Sequence, residues 1–183
     1  MKPEVKNYNP IARAVHWLSA AVVIGMFGVG LWMVDLSYYS EWYRTAPHWH
    51  KSIGILLAIL TVFRIVWKHV TPSPKIEGQP YEVTGAKIAH ILMYLLLVAL
   101  FVSGYLISTE DGRGIDVFTW FTVPGAGAFF EGQADLAGEI HFYVAWALIL
   151  IAAAHALAAL KHHFINKVDK NDKEYKQFLA IYS

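Results

Sequence analysis

The chain has 183 residues, 56% hydrophobic and 16% charged, with a formal net charge of +1 and a mean hydropathy of +0.40. Soluble domains carry about 25% charged residues, so this composition argues against a soluble enzyme and for a single integral membrane domain, residues 1–183. There is no cysteine, which excludes disulfides, thiolate-held iron–sulfur clusters and the C-x-x-C-H attachment of c-type haem. The small net charge gives no reason to expect a nucleic-acid partner.

Four apolar runs follow in chain order, and each is near the roughly 20 residues that cross a bilayer. None has a charge at its centre. In lipid every backbone polar group needs an internal partner, so such runs are helices. They predict an all-α membrane four-helix bundle of up-down topology, with helices over about 12–34, 48–68, 86–108 and 138–163. The first run is too long for a signal-peptide core and lacks a persuasive cleavage site. The second is short, so Trp49 or Trp67 is expected at an interface. Prolines 72, 74 and 80 break the connection that follows it. The longest connection, 108–138, contains FTWFTVPGAGAFF. This stretch is too short to span and is interrupted by Pro124. It reads equally as an interfacial segment over about 115–130 or as an ordered loop on the helix ends. The charged tail, 168–183, is expected to be solvated.

Along an up-down path, every lysine and arginine except Arg44, Lys51 and Arg113 falls on the side of the two termini. The positive-inside rule then makes both termini of this multi-pass protein cytoplasmic. The opposite side holds Asp35, Glu41, Glu110, Asp111, Asp116, Glu131, Asp135 and Glu139. An acidic outer face suits a cationic partner.

Histidines carry the chemistry. His141 and His155 share the fourth apolar run, where an ionisable group is a functional hypothesis by default. Fourteen residues apart, they lie about 40° apart around a helix and about 21 Å apart along it. His50 opens helix two on the outer side, His16 lies in the inner turns of helix one, and His90 opens helix three on the inner side. Depth therefore pairs His50 with His141 and His16 with His155. Paired imidazoles from facing helices are what a b-type haem needs, and bundle cores are common cofactor sites. With both axial positions filled, electron transfer is the natural role.

His90 competes with His16 for the inner site, or lines a quinone pocket with Trp17 and Tyr94. His48, two residues from His50, lies about 160° away from it around a helix; His69, His162 and His163 read as ordinary interfacial residues. Haem propionates need cationic partners: Arg13, Arg64 and Lys87 lie at the inner depth, Lys51 at the outer. Alanines on helix four leave room for a flat macrocycle or permit close helix packing.

At these residues the chain resembles the bacterial di-haem cytochrome b561 family. The matching segments are ARAVHWL around His16, HKSIGILL from His50, RIVWKHVTPSP, AHILMYLLLVALFVSGY and EIHFYVAWALILIAAAHALAALKHHF. They run in order from about Tyr8 to Ile165; the tail from Val168 departs from the family pattern. The resemblance implies a multi-pass protein of the bacterial inner membrane with four membrane helices, two non-covalent b haems and electron exchange with quinone, ubiquinone or menaquinone. It carries axial ligation onto His16, His50, His141 and His155, in agreement with the depths.

The expected function is thus electron transfer between membrane quinone and a periplasmic partner. Superoxide oxidation with quinone as acceptor ranks lower, because an anionic substrate calls for a cationic funnel. A cytochrome b subunit of a larger dehydrogenase or hydrogenase is a further alternative. A proton transporter is disfavoured, since the central depths hold no carboxylate.

Overall fold

A computed structural model describes residues 9–72 and 80–161. Four helices carry the fold: α1 (Pro10–Val34), α2 (Thr45–Val70), α3 (Pro80–Thr109) and α4 (Gln133–Lys161). All four are long and apolar enough to cross a membrane. α3 packs most extensively on α4, and α1 on α2. The tail and the His162–His163 pair lie outside the described residues.

The helices extend beyond the apolar runs that announce them. α2 begins at Thr45, α3 at Pro80 and α4 at Gln133, because polar end turns continue the backbone hydrogen bonding past the hydrophobic middle. Hydropathy marks that middle alone. α1 starts where Asn9 Oδ1 accepts from the Ile11 N–H at 2.8 Å, with Pro10 in the first helical position. This is a side-chain cap followed by a residue with no N–H to satisfy.

The bundle is apolar outside and partly polar inside. Only 6–11% of the residues in each span are buried, and Ile24, Ile59, Val62, Leu95 and Leu150 face outward. Lipid meets such a surface without penalty. Buried positions include Ser19, Ser52, Thr61, Ser103 and Thr109. Ser19, Thr61, Ser103 and Thr109 donate to the carbonyl four residues back, which satisfies the hydroxyl within its own helix.

The 110–132 connection contains a short hairpin. β1 (Ile115–Val117) pairs antiparallel with β2 (Phe121–Val123), Ile115 opposite Val123 and Val117 opposite Phe121. Ser52 of α2 holds it: its Oγ donates to the Asp116 carbonyl at 3.2 Å and accepts the Phe118 N–H at 2.9 Å. Buried Gln133 ties the loop to the helices, donating to the Leu106 carbonyl at 3.0 Å and accepting the Phe129 N–H at 2.9 Å. Glu110 accepts the Ala134 N–H at 3.1 Å, closing the start of α4. A Cβ on Gly125 would strike the Arg113 carbonyl, so the return strand can pass there only as glycine. The loop is thus fixed over the outer ends of the helices. Trp120, Phe121, Phe129 and Phe130 remain exposed on it.

Candidate functional site

A cavity of about 620 Å³ opens among the four helices in the outer half of the bundle. That falls within the range of small-molecule and cofactor sites. His50 on α2 and His141 on α4 face each other across it, ring centres 6.3 Å apart. Two imidazoles on opposite sides of one metal, with metal–nitrogen bonds of about 2 Å, have ring centres roughly 6 Å apart. The observed separation suits one metal ion held between the rings. Apolar side chains, among them Phe27, Leu97, Leu148 and Ile149, line the rest. A flat apolar group with a metal at its centre fits this lining.

Glycine makes the room. A Cβ on Gly104 would lie 3.2 Å from His141 Cε1, and one on Gly30 would lie 3.5 Å from His50 Cε1. Ser103 sits behind His141, its Oγ 3.1 Å from Nδ1. Lys51 and Arg113 line the cavity at its outer end. Arg113 pairs with Asp111, Nε to Oδ2 at 2.6 Å; this hydrogen bond holds the Asp111 carboxyl below the usual carboxylate range. Lys51 was expected at this depth from the sequence. Ser103, Gly30, Gly104 and Arg113 were not. A serine or glycine in a membrane helix is ordinarily a packing residue, so only proximity to the imidazoles singles these out.

The inner half gathers three histidines. The rings of His90 and His155 touch, with centres 4.8 Å apart. His90 Nδ1 lies 2.7 Å from the Ala86 carbonyl, a contact in which the nitrogen must donate. His16 belongs to the same cluster, near His155, His90 and Arg64. The Arg64 guanidinium reaches His16 Nδ1 at 2.8 Å and lies 5.5 Å from the centre of the Tyr94 ring. Guanidinium only donates, so His16 Nδ1 accepts there. Arg13 is exposed one turn earlier on α1, and Arg64 is the arginine that meets the cluster. Trp17 is 70% exposed, turned largely away from the bundle. Among the described residues, no three metal-binding side chains converge on one point.

Residues 7–170 match the family model described as prokaryotic cytochrome b561. The chain is 49% identical to cytochrome b561 homolog 2 of Escherichia coli (strain K12) over 166 residues, covering 90% of this chain and 88% of that protein. It is 29% identical to the probable superoxide oxidase CybB of Yersinia pestis over 165 residues, 88% and 92% of the two chains. It is also 29% identical to cytochrome b561 homolog 1 of Escherichia coli (strain K12) over 133 residues, 70% and 73% of the two. Four membrane-length helices and these likenesses describe a multi-pass protein of the bacterial inner membrane. The chain belongs to the prokaryotic cytochrome b561 family, whose members are membrane cytochromes that bind b-type haem.

Proposed function

We propose that the protein carries electrons across the inner membrane between quinone, ubiquinone or menaquinone, and a periplasmic redox partner, through two non-covalent b haems. The observation that carries this reading is the pair of facing imidazoles, His50 and His141, 6.3 Å apart across an apolar cavity, with a second histidine cluster at the other end of α4. Haem bound there would supply a one-electron couple. His50 and His141 would hold the outer iron, and His16 and His155 the inner one. Lys51 and Arg113 stand where outer propionates need cations, and Arg64 stands at the inner site. Pairing of Arg64 with a propionate would release His16 Nδ1 from its present contact. His90 donates its Nδ1–H to the Ala86 carbonyl, which leaves its Nε2 open; it is assigned to the lining of the inner site because the family resemblance carries ligation onto His16, and His90 is the competing inner ligand.

Haem counting on purified variants tests the assignment. The unaltered protein should contain two b haems; His141→Ala, His50→Ala, His155→Ala and His16→Ala should each contain one. His90→Ala should keep two. A His16→Ala protein with two haems beside a His90→Ala protein with one would transfer the inner ligand to His90.

Superoxide oxidation is a second reading, and its support is the likeness to a probable superoxide oxidase. The acidic outer face opposes it, since superoxide is an anion. Reduction of the haems by a superoxide flux, faster at low than at high ionic strength, would favour this reading over the first.

A further inference from the structure

We propose that Ser103 is a positioning residue for His141, so that the two axial positions of the outer haem are electronically unequal. This rests on the reading that His50 and His141 hold the outer haem.

Ser103 lies on α3 and is 3% exposed. Its Oγ is 2.7 Å from the Ala99 carbonyl and 3.2 Å from that of Leu100. A serine has one hydroxyl hydrogen, and these carbonyls take it. What Oγ offers to His141 Nδ1, 3.1 Å away, is therefore a lone pair, and Nδ1 must bring the proton. A neutral imidazole carries one N–H, so Nε2 is left as the coordinating nitrogen. Gly104 lets the ring lie close against α3, its absent Cβ 3.2 Å from Cε1 and 3.5 Å from Nδ1. Ser103, with the Leu100 carbonyl beside it, sets the tautomer, and Gly104 sets the position of this one imidazole.

His50 differs. Its Nδ1 is buried and has no hydrogen-bond partner among the described residues. A ligating histidine that donates its second N–H to an acceptor is held in orientation and made more basic. A more basic ligand favours ferric over ferrous iron, and hydrogen bonding behind an axial ligand is one of the levers on haem potential. His141 is thus the stronger donor of the pair because Ser103 accepts its Nδ1–H, and the stronger donor lowers the potential of the outer haem.

The test is a potentiometric titration of the purified, haem-loaded protein with haem counting, on the unaltered chain, Ser103→Ala, Ser103→Thr and His141→Ala. Ser103→Ala should keep two haems and raise one of the two midpoint potentials. A tenfold change in the ferric-to-ferrous ratio is about 59 mV for one electron. Ser103→Thr, which keeps the hydroxyl, should titrate like the unaltered protein. Loss of one haem in Ser103→Ala with retention in Ser103→Thr supports the same role. Unchanged potentials in Ser103→Ala overturn the proposal, as does a Ser103→Thr protein that shifts or loses haem as Ser103→Ala does, which marks packing alone. His141→Ala separates the two levels of the argument. If it retains two haems, the reading of the outer site has failed. If it loses one while Ser103→Ala titrates normally, only the role of Ser103 has.

Discussion

His141 lies closer to its facing glycine than His50 does to its own. At Gly104 an added Cβ would press on the His141 ring at 3.2 Å; at Gly30 it would meet His50 at an ordinary 3.5 Å. On the proposed two-haem reading, Gly104→Val should therefore lower outer haem content severalfold and spare the inner haem, while Gly30→Ala should retain both, as read from the haem-to-protein ratio. The histidines were legible in the sequence because imidazole in hydrocarbon is costly and stands out from its neighbours. Their depths followed from helix rise alone. Gly104 and Ser103 were not legible, because small residues recur throughout membrane helices and nothing in one-dimensional spacing says which of them faces a ring. Arg64 was legible as a cation inside the last turns of α2. Its partners, His16 Nδ1 and the Tyr94 ring, needed the three-dimensional arrangement of α1 and α3.

At the scale of elements, the four helices were readable from hydropathy and the hairpin was not. Its strands have three residues each, too few for an alternating pattern to register. Its composition is as apolar as an interfacial helix. What fixes it lies elsewhere in the chain, in Ser52 on α2 and Gln133 at the start of α4. Gln133 is completely buried, and its amide joins the end of α3 to the loop. Gln133→Leu would leave the Phe129 N–H and the Leu106 carbonyl without that partner. A buried group stripped of its hydrogen bond costs about 1–3 kcal/mol. The expected outcome is a thermal midpoint several degrees lower in detergent, measured by loss of the haem absorbance, with faster proteolysis within 111–132. Equal midpoints for Gln133→Leu and the unaltered protein would show that the loop is held by its other contacts.

At the scale of the whole molecule, the bundle has a lipid-facing exterior and a cavity of about 620 Å³ where a packed core would otherwise lie. An apolar interior left open forfeits dispersion contacts, so the group that fills it should stabilise the fold as well as carry electrons. A ligand bound only by the folded state adds RT ln(1 + [L]/Kd), about 4 kcal/mol at a thousand times Kd. Protein produced under haem depletion should unfold at a lower temperature than haem-loaded protein, and adding haem in detergent should restore the difference. A midpoint independent of haem content would mean that the helices pack without it.

The charge on the periplasmic side belongs to the whole molecule too, because helix ends and the hairpin loop all contribute to it. Asp35, Glu41, Glu110, Asp111, Asp116, Glu131, Asp135 and Glu139 outnumber Arg44, Lys51 and Arg113 there. Opposite charge on a partner raises encounter rates, and salt screens that attraction within a Debye length of about 8 Å at physiological ionic strength. A cationic electron carrier should therefore exchange electrons with the outer haem faster than an anionic carrier of equal potential, and rising salt should narrow the gap. Asp111 adds a pH statement. Its pairing with exposed Arg113 holds its pKa below the ordinary value of 3.8, so the paired, charged form is favoured above that value and is lost only as pH falls through the lowered one. Titration of Asp111 thus leaves the rate ratio of the two carriers constant between about pH 5 and 8. Stopped-flow reduction with a cationic and an anionic carrier, across salt and across pH, checks both points. Equal rates at low salt would remove electrostatic steering from the account of the outer partner.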